Sequence, residues 1–385
     1  MSRRATVVVL DACGVGALPD AYRYGDEGAD TLGHLAATVG GGLRLPVLER
    51  LGLGSIVALE GVAPSPRPVL HGRLRPLGAG KDSTAGHWEL MGVVSEAAPP
   101  TYPQGVPAEL VAELERAMGH RVTCNAAYNG VAAIEHYGTE HLRSGRLILY
   151  TSVDSVLQLA AHTDRVPPEQ LYGACRAARA VMRGEHAVGR VIARPFTGEP
   201  GRFHRTLGRR DYALAPPARS YLQELDDAGV AVHSVGKIAD LFAGVGTGAH
   251  HPAANNAQAI AAIDSLLQAQ DDGLIFANLV ETDQVYGHRQ DIPGFARALE
   301  LIDAAVGGWL GRLHEGDLLV ITADHGCDPT TPGTDHTREY APLLAVFGER
   351  QSNRHDGALA DVGASALRWL APRVSSPLPG RPFLS

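Results

Sequence analysis

Long apolar runs are missing from this chain: none approaches the ~18 consecutive apolar residues of a membrane helix. The first such run, Val7 to Leu10, is cut off by Asp11 and is too short for a signal-peptide core, so no export leader of that kind is expected. Cysteine is scarce as well: Cys13, Cys124, Cys175 and Cys327 are scattered without CxxC pairing, which fits free thiols in a reducing compartment better than a disulfide framework. The expected location is therefore the cytoplasm. No excess of positive charge exists either: the net charge is -8 and the pI near 6.1. Bulk attraction to nucleic acid or to an acidic membrane is excluded, so an anionic substrate must be held by individually placed Arg and Lys. Internal repeats and low-complexity tracts are absent too.

What is present is alternation. Thr6 to Leu10 reads as a buried strand. Helices expected over Ala218–Ala228, Ala254–Gln268 and Pro293–Leu313 each precede a strand, at Val230–Val235, Leu274–Val280 and Asp317–Thr322. Such an order argues for an α/β fold with a mostly parallel sheet covered by helices. Two proline clusters, Ala97 to Pro103 and Leu214 to Pro217, bracket a segment with its own strands (Arg146–Thr151, Val188–Ala193) and a helix from Pro168 to Met182. Chain crossings between domains fall in such segments, which makes residues 99–215 an inserted α/β domain and residues 1–98 with 216–385 a discontinuous core. The proline-bearing tail from Pro372 to Pro382 is expected to be irregular.

Three of the core strands end in carboxylates. Asp11 follows the first; Asp283 and then His288 follow Leu274–Val280; Asp324 and His325, with His336 beyond a Pro/Gly/Thr loop, follow Leu318–Thr322. In an open α/β sheet ligands bind beyond the carboxyl ends of the strands. Any one of these residues alone reads equally well as a cap, a turn residue or a surface histidine. Their joint placement does not. Three oxygen and three imidazole donors suffice for two divalent ions, which also relieve the repulsion among the carboxylates. The donor set suits Mn²⁺ or Zn²⁺ and contains no thiolate that would select zinc; Cys327 reads as a small buried thiol, and the histidines of Ala249-His-His-Pro252 as surface.

Gly80-Lys-Asp-Ser83 is not a phosphate-binding P-loop, since Arg75 stands where a glycine is required and Asp82 follows the lysine. Two readings of Ser83 remain open: a nucleophile whose alkoxide a dication would stabilise, or the N-cap of a helix beginning near Thr84, itself a second hydroxyl.

Taken together the motifs resemble the phosphopentomutases of the alkaline phosphatase superfamily. The resemblance is carried by Asp11 with Gly14-Val-Gly16, Gly80 to Glu89, Tyr150 to Gln158, Val188 to Phe196, Gly198 to Gly201, Asn278 to Val280 with Gly287-His288, Thr322 to Gly326 and Gly333 to Tyr340. It implies an alkaline-phosphatase-like core with an inserted cap. It also implies one Mn²⁺ on Asp11, Asp324 and His325, a second on Asp283, His288 and His336, and a phosphoryl group carried on Ser83, where the family usually has Thr. Asp154, Arg190, Arg205 and Lys237 match family positions near the substrate, a pentose phosphate, and the resemblance leaves room for a sugar bisphosphate activator. Cys13 and Cys327 depart from the expected Ser and Asn. A cap that closes would carry Arg190 and Arg205 over the metals and exclude water. The implied activity is reversible isomerisation of (deoxy)ribose 1-phosphate to the 5-phosphate. A metal-dependent phosphomonoesterase and a non-catalytic metal-stabilised fold are the rivals; a sulfatase is disfavoured because neither Cys13 nor Cys327 has the Cys-x-Pro-x-Arg context.

Overall fold

The computed structural model describes residues 3–97, 99–152, 155–269, 272–348 and 353–384. The chain divides into two compact units, Met1–Ala97 with Pro216–Ser385, and Ala98–Ala215.

The first unit is built on an eight-stranded sheet in the order Ala249–His251, Val232–Val235, Gly273–Leu279, Arg4–Leu10, Asp317–Thr322, Ala341–Phe347, Leu70–Arg75 and Gly357–Ala358. The central strand Arg4–Leu10 runs parallel to both neighbours, and only Ala341–Phe347 is antiparallel to the strands beside it. All seven residues of Arg4–Leu10 and of Gly273–Leu279 are buried, as expected of strands without a solvent face. Parallel register brings Leu10 opposite Leu279, and Val9 opposite Thr322, so the chain leaves three adjacent strands at the same sheet edge. Leu10, Ile321 and Leu344 share an apolar space with Leu32, Leu48 and Leu299 from helices Thr31–Thr38, Pro46–Leu51 and Ile292–Leu310, and with Leu45 just before the second of these.

Helices lie close to the spans expected from the sequence, but start where caps allow. Tyr221–Asp227 begins three residues later than expected because Ser220 and Gln223 form a reciprocal capping box. Ser83 is not an N-cap: the helix Ser83–Leu90 includes it, and the cap is Asp82, whose side chain accepts from the N–H groups of Thr84 and Ala85. His250 is exposed, as read from the sequence. His251 is not a plain surface residue, since it sits half-buried on an edge strand with Nε2 3.0 Å from His233 Nδ1.

The second unit carries a six-stranded sheet of mixed direction: Val122–Ala127, Leu147–Thr151, Val156–His162, Arg190–Thr197 and His204–Arg205, with Arg210–Ala213 also pairing to Arg190–Thr197. Side chains alternate across it. Leu147, Leu149, Leu157 and Leu159 join one apolar cluster with helix Pro168–Val181, while Ile148, Tyr150 and Ala160 join another with helix Gly130–Ser144.

Candidate metal centre

Each element at the common sheet edge turns in a way that points a ligand inward. After Arg4–Leu10 the chain bends through Ala12, whose φ of 62° lies in the left-handed region, and this aims its N–H at Asp324 Oδ1, 3.2 Å away. After Gly273–Leu279 it enters one π-helical turn, Thr282–Gly287, in which the His288 N–H donates to the Asp283 carbonyl. That wide turn stacks the two side chains, leaving His288 Nε2 3.4 Å from Asp283 Oδ1. The third strand delivers Asp324 and His325 directly, and the following loop returns His336 to within 3.4 Å of Asp283 Oδ1.

All six expected ligands therefore meet. Asp11, Asp324 and His325 have donor atoms within 4.8 Å of one another, and so do Asp283, His325 and His336. His325 lies between the two sets, with its ring 4.2 Å from that of His336, which in turn is 4.7 Å from that of His288. A third set, Asp283 with His288 and Cys327, brings in a residue read from the sequence as a bystander.

Backbone carbonyls fix the imidazoles. His325 Nδ1 donates to Gly326 O at 3.0 Å and His288 Nδ1 to Thr334 O at 2.5 Å, so each Nε2 keeps its lone pair for a metal. Asp11 Oδ1, Asp283 Oδ1, Asp324 Oδ2 and His336 Nε2 are buried and make no hydrogen bond. Orphaned buried acceptors are costly unless a cation gathers them. Separations of 3.2–3.6 Å between His325 Nε2 and the Asp324 and Asp11 oxygens are what ligands about 2.1 Å from a shared ion show. The residues present fit two divalent ions.

The electrostatics say the same. Burial, then repulsion from Asp324, push Asp11 well above the usual carboxylate range. Burial works on Asp324 in the same sense but is outweighed by His325 and His87, which hold it well below that range. Burial opposes charge on His325, yet Asp324, Asp283 and Asp11 drive its pKa up to about 10. A cluster that draws a proton onto His325 is one that a dication satisfies better.

Ser83 stands at the first position of its helix, half-buried, with Oγ 3.1 Å from His325 Nε2 and 2.9 Å from Lys237 Nζ. Lys237 also pairs with Asp11 Oδ2 at 2.5 Å. Burial pulls the Lys237 pKa down, but Asp11, Asp283 and Asp324 more than offset this and leave it raised.

Similarity to known proteins matches this geometry. A model of the metalloenzyme superfamily matches residues 3–371. The chain is 48% identical over 369 residues to a phosphopentomutase of Caldanaerobacter subterraneus subsp. tengcongensis, covering 95% of this chain and 93% of that one. It is 44% identical to the phosphopentomutase of Herpetosiphon aurantiacus over 388 residues, covering 100% and 98%. The chain belongs to the phosphopentomutase family. Two solved structures share the fold of the chain. The Leishmania mexicana phosphoglycerate mutase matches with a TM-score of 0.52 at 13% identity over 99% of this chain and 97% of that one, and the PH0037 protein of Pyrococcus horikoshii with 0.52 at 14% over 98% and 99%.

The remaining expected site residues are placed as follows. Arg190 and Arg205 belong to the second unit; the first opens strand Arg190–Thr197 with Nη1 3.5 Å from Asp211 Oδ2, and the second is exposed on His204–Arg205. Asp154 lies outside the described residues. Thr84 follows Ser83 in the same helix, and its N–H is taken by the cap.

Two residues at the centre had no role in the sequence reading. His87, one helical turn after Ser83, is fully buried; its Nδ1 donates to the Ser83 carbonyl at 2.8 Å and lies 3.0 Å from Asp324 Oδ2, and its Nε2 meets Asn278 Nδ2 at 3.1 Å. Asn278 in turn donates to Asp11 Oδ2 at 3.2 Å. As the one polar side chain in the apolar run Leu274 to Val280, Asn278 was visible as an anomaly.

Proposed function

We propose that this chain interconverts (deoxy)ribose 1-phosphate and (deoxy)ribose 5-phosphate, with Ser83 carrying the phosphoryl group. The observation that carries the reading is the setting of Ser83 Oγ: a half-buried hydroxyl on the first turn of a helix, contacted by Lys237 and His325, beside three buried carboxylates. Relatives that bear the phosphopentomutase name over nearly their whole length supply the substrate class.

Asp11, Asp324 and His325 would hold one divalent ion and Asp283, His288 and His336 the other. With Mn²⁺ bound, the centre supplies charge neutralisation for the Ser83 alkoxide and the phosphoryl oxygens. The helix N-terminus and Lys237 favour the added negative charge on a phosphorylated Ser83. Phosphoserine gives its phosphoryl group to the free hydroxyl of the pentose monophosphate, whose proton passes to Ser83 Oγ, and a pentose bisphosphate forms. Ser83 then takes the other phosphoryl group and returns the proton, leaving the isomeric monophosphate. His87 and Asn278 keep Asp324 and Asp11 in place. We assign Arg190, Arg205, Lys237 and Asp154 to substrate phosphate and sugar recognition, Arg being suited to bidentate phosphate contacts. No helix among the described residues is long and apolar enough to cross a membrane. The setting we propose for a small phosphosugar substrate is the cytoplasm.

Ribose 1-phosphate incubated with the Mn²⁺-loaded protein and followed by phosphorus NMR tests the reading. The expected product is the 5-phosphate; stoichiometric free phosphate without it would identify a phosphomonoesterase instead.

A further inference from the structure

The donor set read from the sequence held no sulfur, yet the structure adds one. Cys327 is 1% exposed and its Sγ joins Asp283 and His288 in a group whose donor atoms fall within 4.8 Å of one another; Sγ is 4.0 Å from His288 Nδ1, the nitrogen that donates to Thr334, while Nε2 of the same ring is free and faces Asp283 Oδ1 at 3.4 Å. Asp283 Oδ1, on a residue 4% exposed, makes no hydrogen bond and faces the same group. The thiol donates to the Asp335 carbonyl at 3.7 Å, a weak contact. The thiol is seated against the π-helical turn that carries Asp283 and leads into His288, since a Cβ on Gly287 would stand 3.0 Å from Sγ.

We infer that Cys327 is a ligand of the ion held by Asp283 and His288, and that it makes this position prefer thiophilic divalent ions over Mn²⁺. The inference rests on the two-ion reading above. Carboxylate and imidazole alone discriminate weakly among Mn²⁺, Co²⁺ and Zn²⁺ beyond the general affinity order, whereas a thiolate selects the softer ions. A metal–sulfur bond is about 2.3 Å long, so the side chain would rotate toward the ion to form it. The thiol binds as thiolate, its proton passing to water. Within one centre the ion on Asp11, Asp324 and His325 then keeps a hard donor set while its neighbour has a softer one.

Cobalt reports this directly. The full-length protein is titrated with Co²⁺ while the near-ultraviolet thiolate-to-cobalt charge-transfer band is recorded, and bound cobalt is counted independently. The expected result is a band in the wild type and in Cys13→Ser, lost in both Cys327→Ser and Cys327→Asn. After dialysis against equimolar Zn²⁺ and Mn²⁺, the Zn²⁺ to Mn²⁺ ratio retained is expected to fall in both Cys327 variants. Cobalt bound by the wild type without the band would overturn the role of Cys327 and leave the two-ion centre standing. Failure of the wild type to bind cobalt would overturn the centre itself.

Discussion

Lys237 donates to Ser83 Oγ across 2.9 Å while the same ammonium pairs with Asp11 Oδ2 at 2.5 Å. The cation thus joins the proposed nucleophile to a proposed metal ligand without occupying either ion's donor set. Lys237→Met is expected to retain metal stoichiometry and lose about 10²–10³ in kcat, the usual effect of removing one preorganised charge from a phosphoryl-transfer site. Steady-state rates alongside metal analysis check this; an unchanged kcat would remove Lys237 from the chemistry.

His87 is expected to act through Asp324. Its Nδ1 stands 3.0 Å from Asp324 Oδ2, and burial lowers its pKa although Asp324 opposes this. Loss of such a supporting partner weakens metal binding by about 10–100-fold. His87→Gln should therefore raise the metal dissociation constant in calorimetry more than it lowers the melting temperature of metal-free protein. Equal metal affinity in the two proteins would make His87 a packing residue only.

The six proposed ligands were legible because they follow the ends of three short apolar runs, and parallel strands must release their chains at one edge. Their supports were not. His87 and Ser83 are one helical turn apart, yet the contact of His87 with Asp324 spans most of the chain, and no local pattern announces it. The antiparallel strand Ala341–Phe347 was hidden because its pairing with Asp317–Thr322 depends on how far the intervening loop returns. The helix expected near Thr84 starts one residue earlier, at Ser83, because Asp82 is its cap; Gly86 is needed because a Cβ there would collide with the Asp324 backbone. Cys327 was dismissed on residue type, and only the π-helical turn brings it beside Asp283 and His288.

Glu339 has a consequence for pH. Its buried carboxylate accepts from the N–H groups of Gly16 and Thr31 and from the hydroxyls of Thr31 and Thr337, tying together the loops that follow Asp11 and precede Glu339 itself. Burial raises its pKa to about 7, the four donors only partly opposing it. The folded protein holds this proton more tightly than the unfolded chain. The contribution is complete below pH ~4.5 and is lost as pH rises through about 7. With metal-free protein, the stability of the wild type relative to Glu339→Gln should fall by about 3 kcal/mol across that window, other titrations cancelling in the difference. A pH-independent difference in urea denaturation would contradict it.

The hydroxyl, and not the methyl, is expected to matter at position 83. Ser83→Thr should keep turnover within about tenfold of the wild type, whereas Ser83→Ala should lose the ~10⁴-fold or more that a covalent nucleophile contributes. Comparable rates in Ser83→Ala and wild type, measured with ribose 1-phosphate, would move the nucleophile elsewhere.

Intact mass spectrometry with peptide mapping, before and after incubation with a pentose bisphosphate and Mn²⁺, addresses the phosphorylated intermediate most directly. The account predicts one added phosphoryl group per chain, on the peptide bearing Ser83, discharged by addition of ribose 5-phosphate and absent from Ser83→Ala. No added mass in a protein that turns over the sugar phosphate, or a phosphoryl group on a residue other than Ser83, would contradict it.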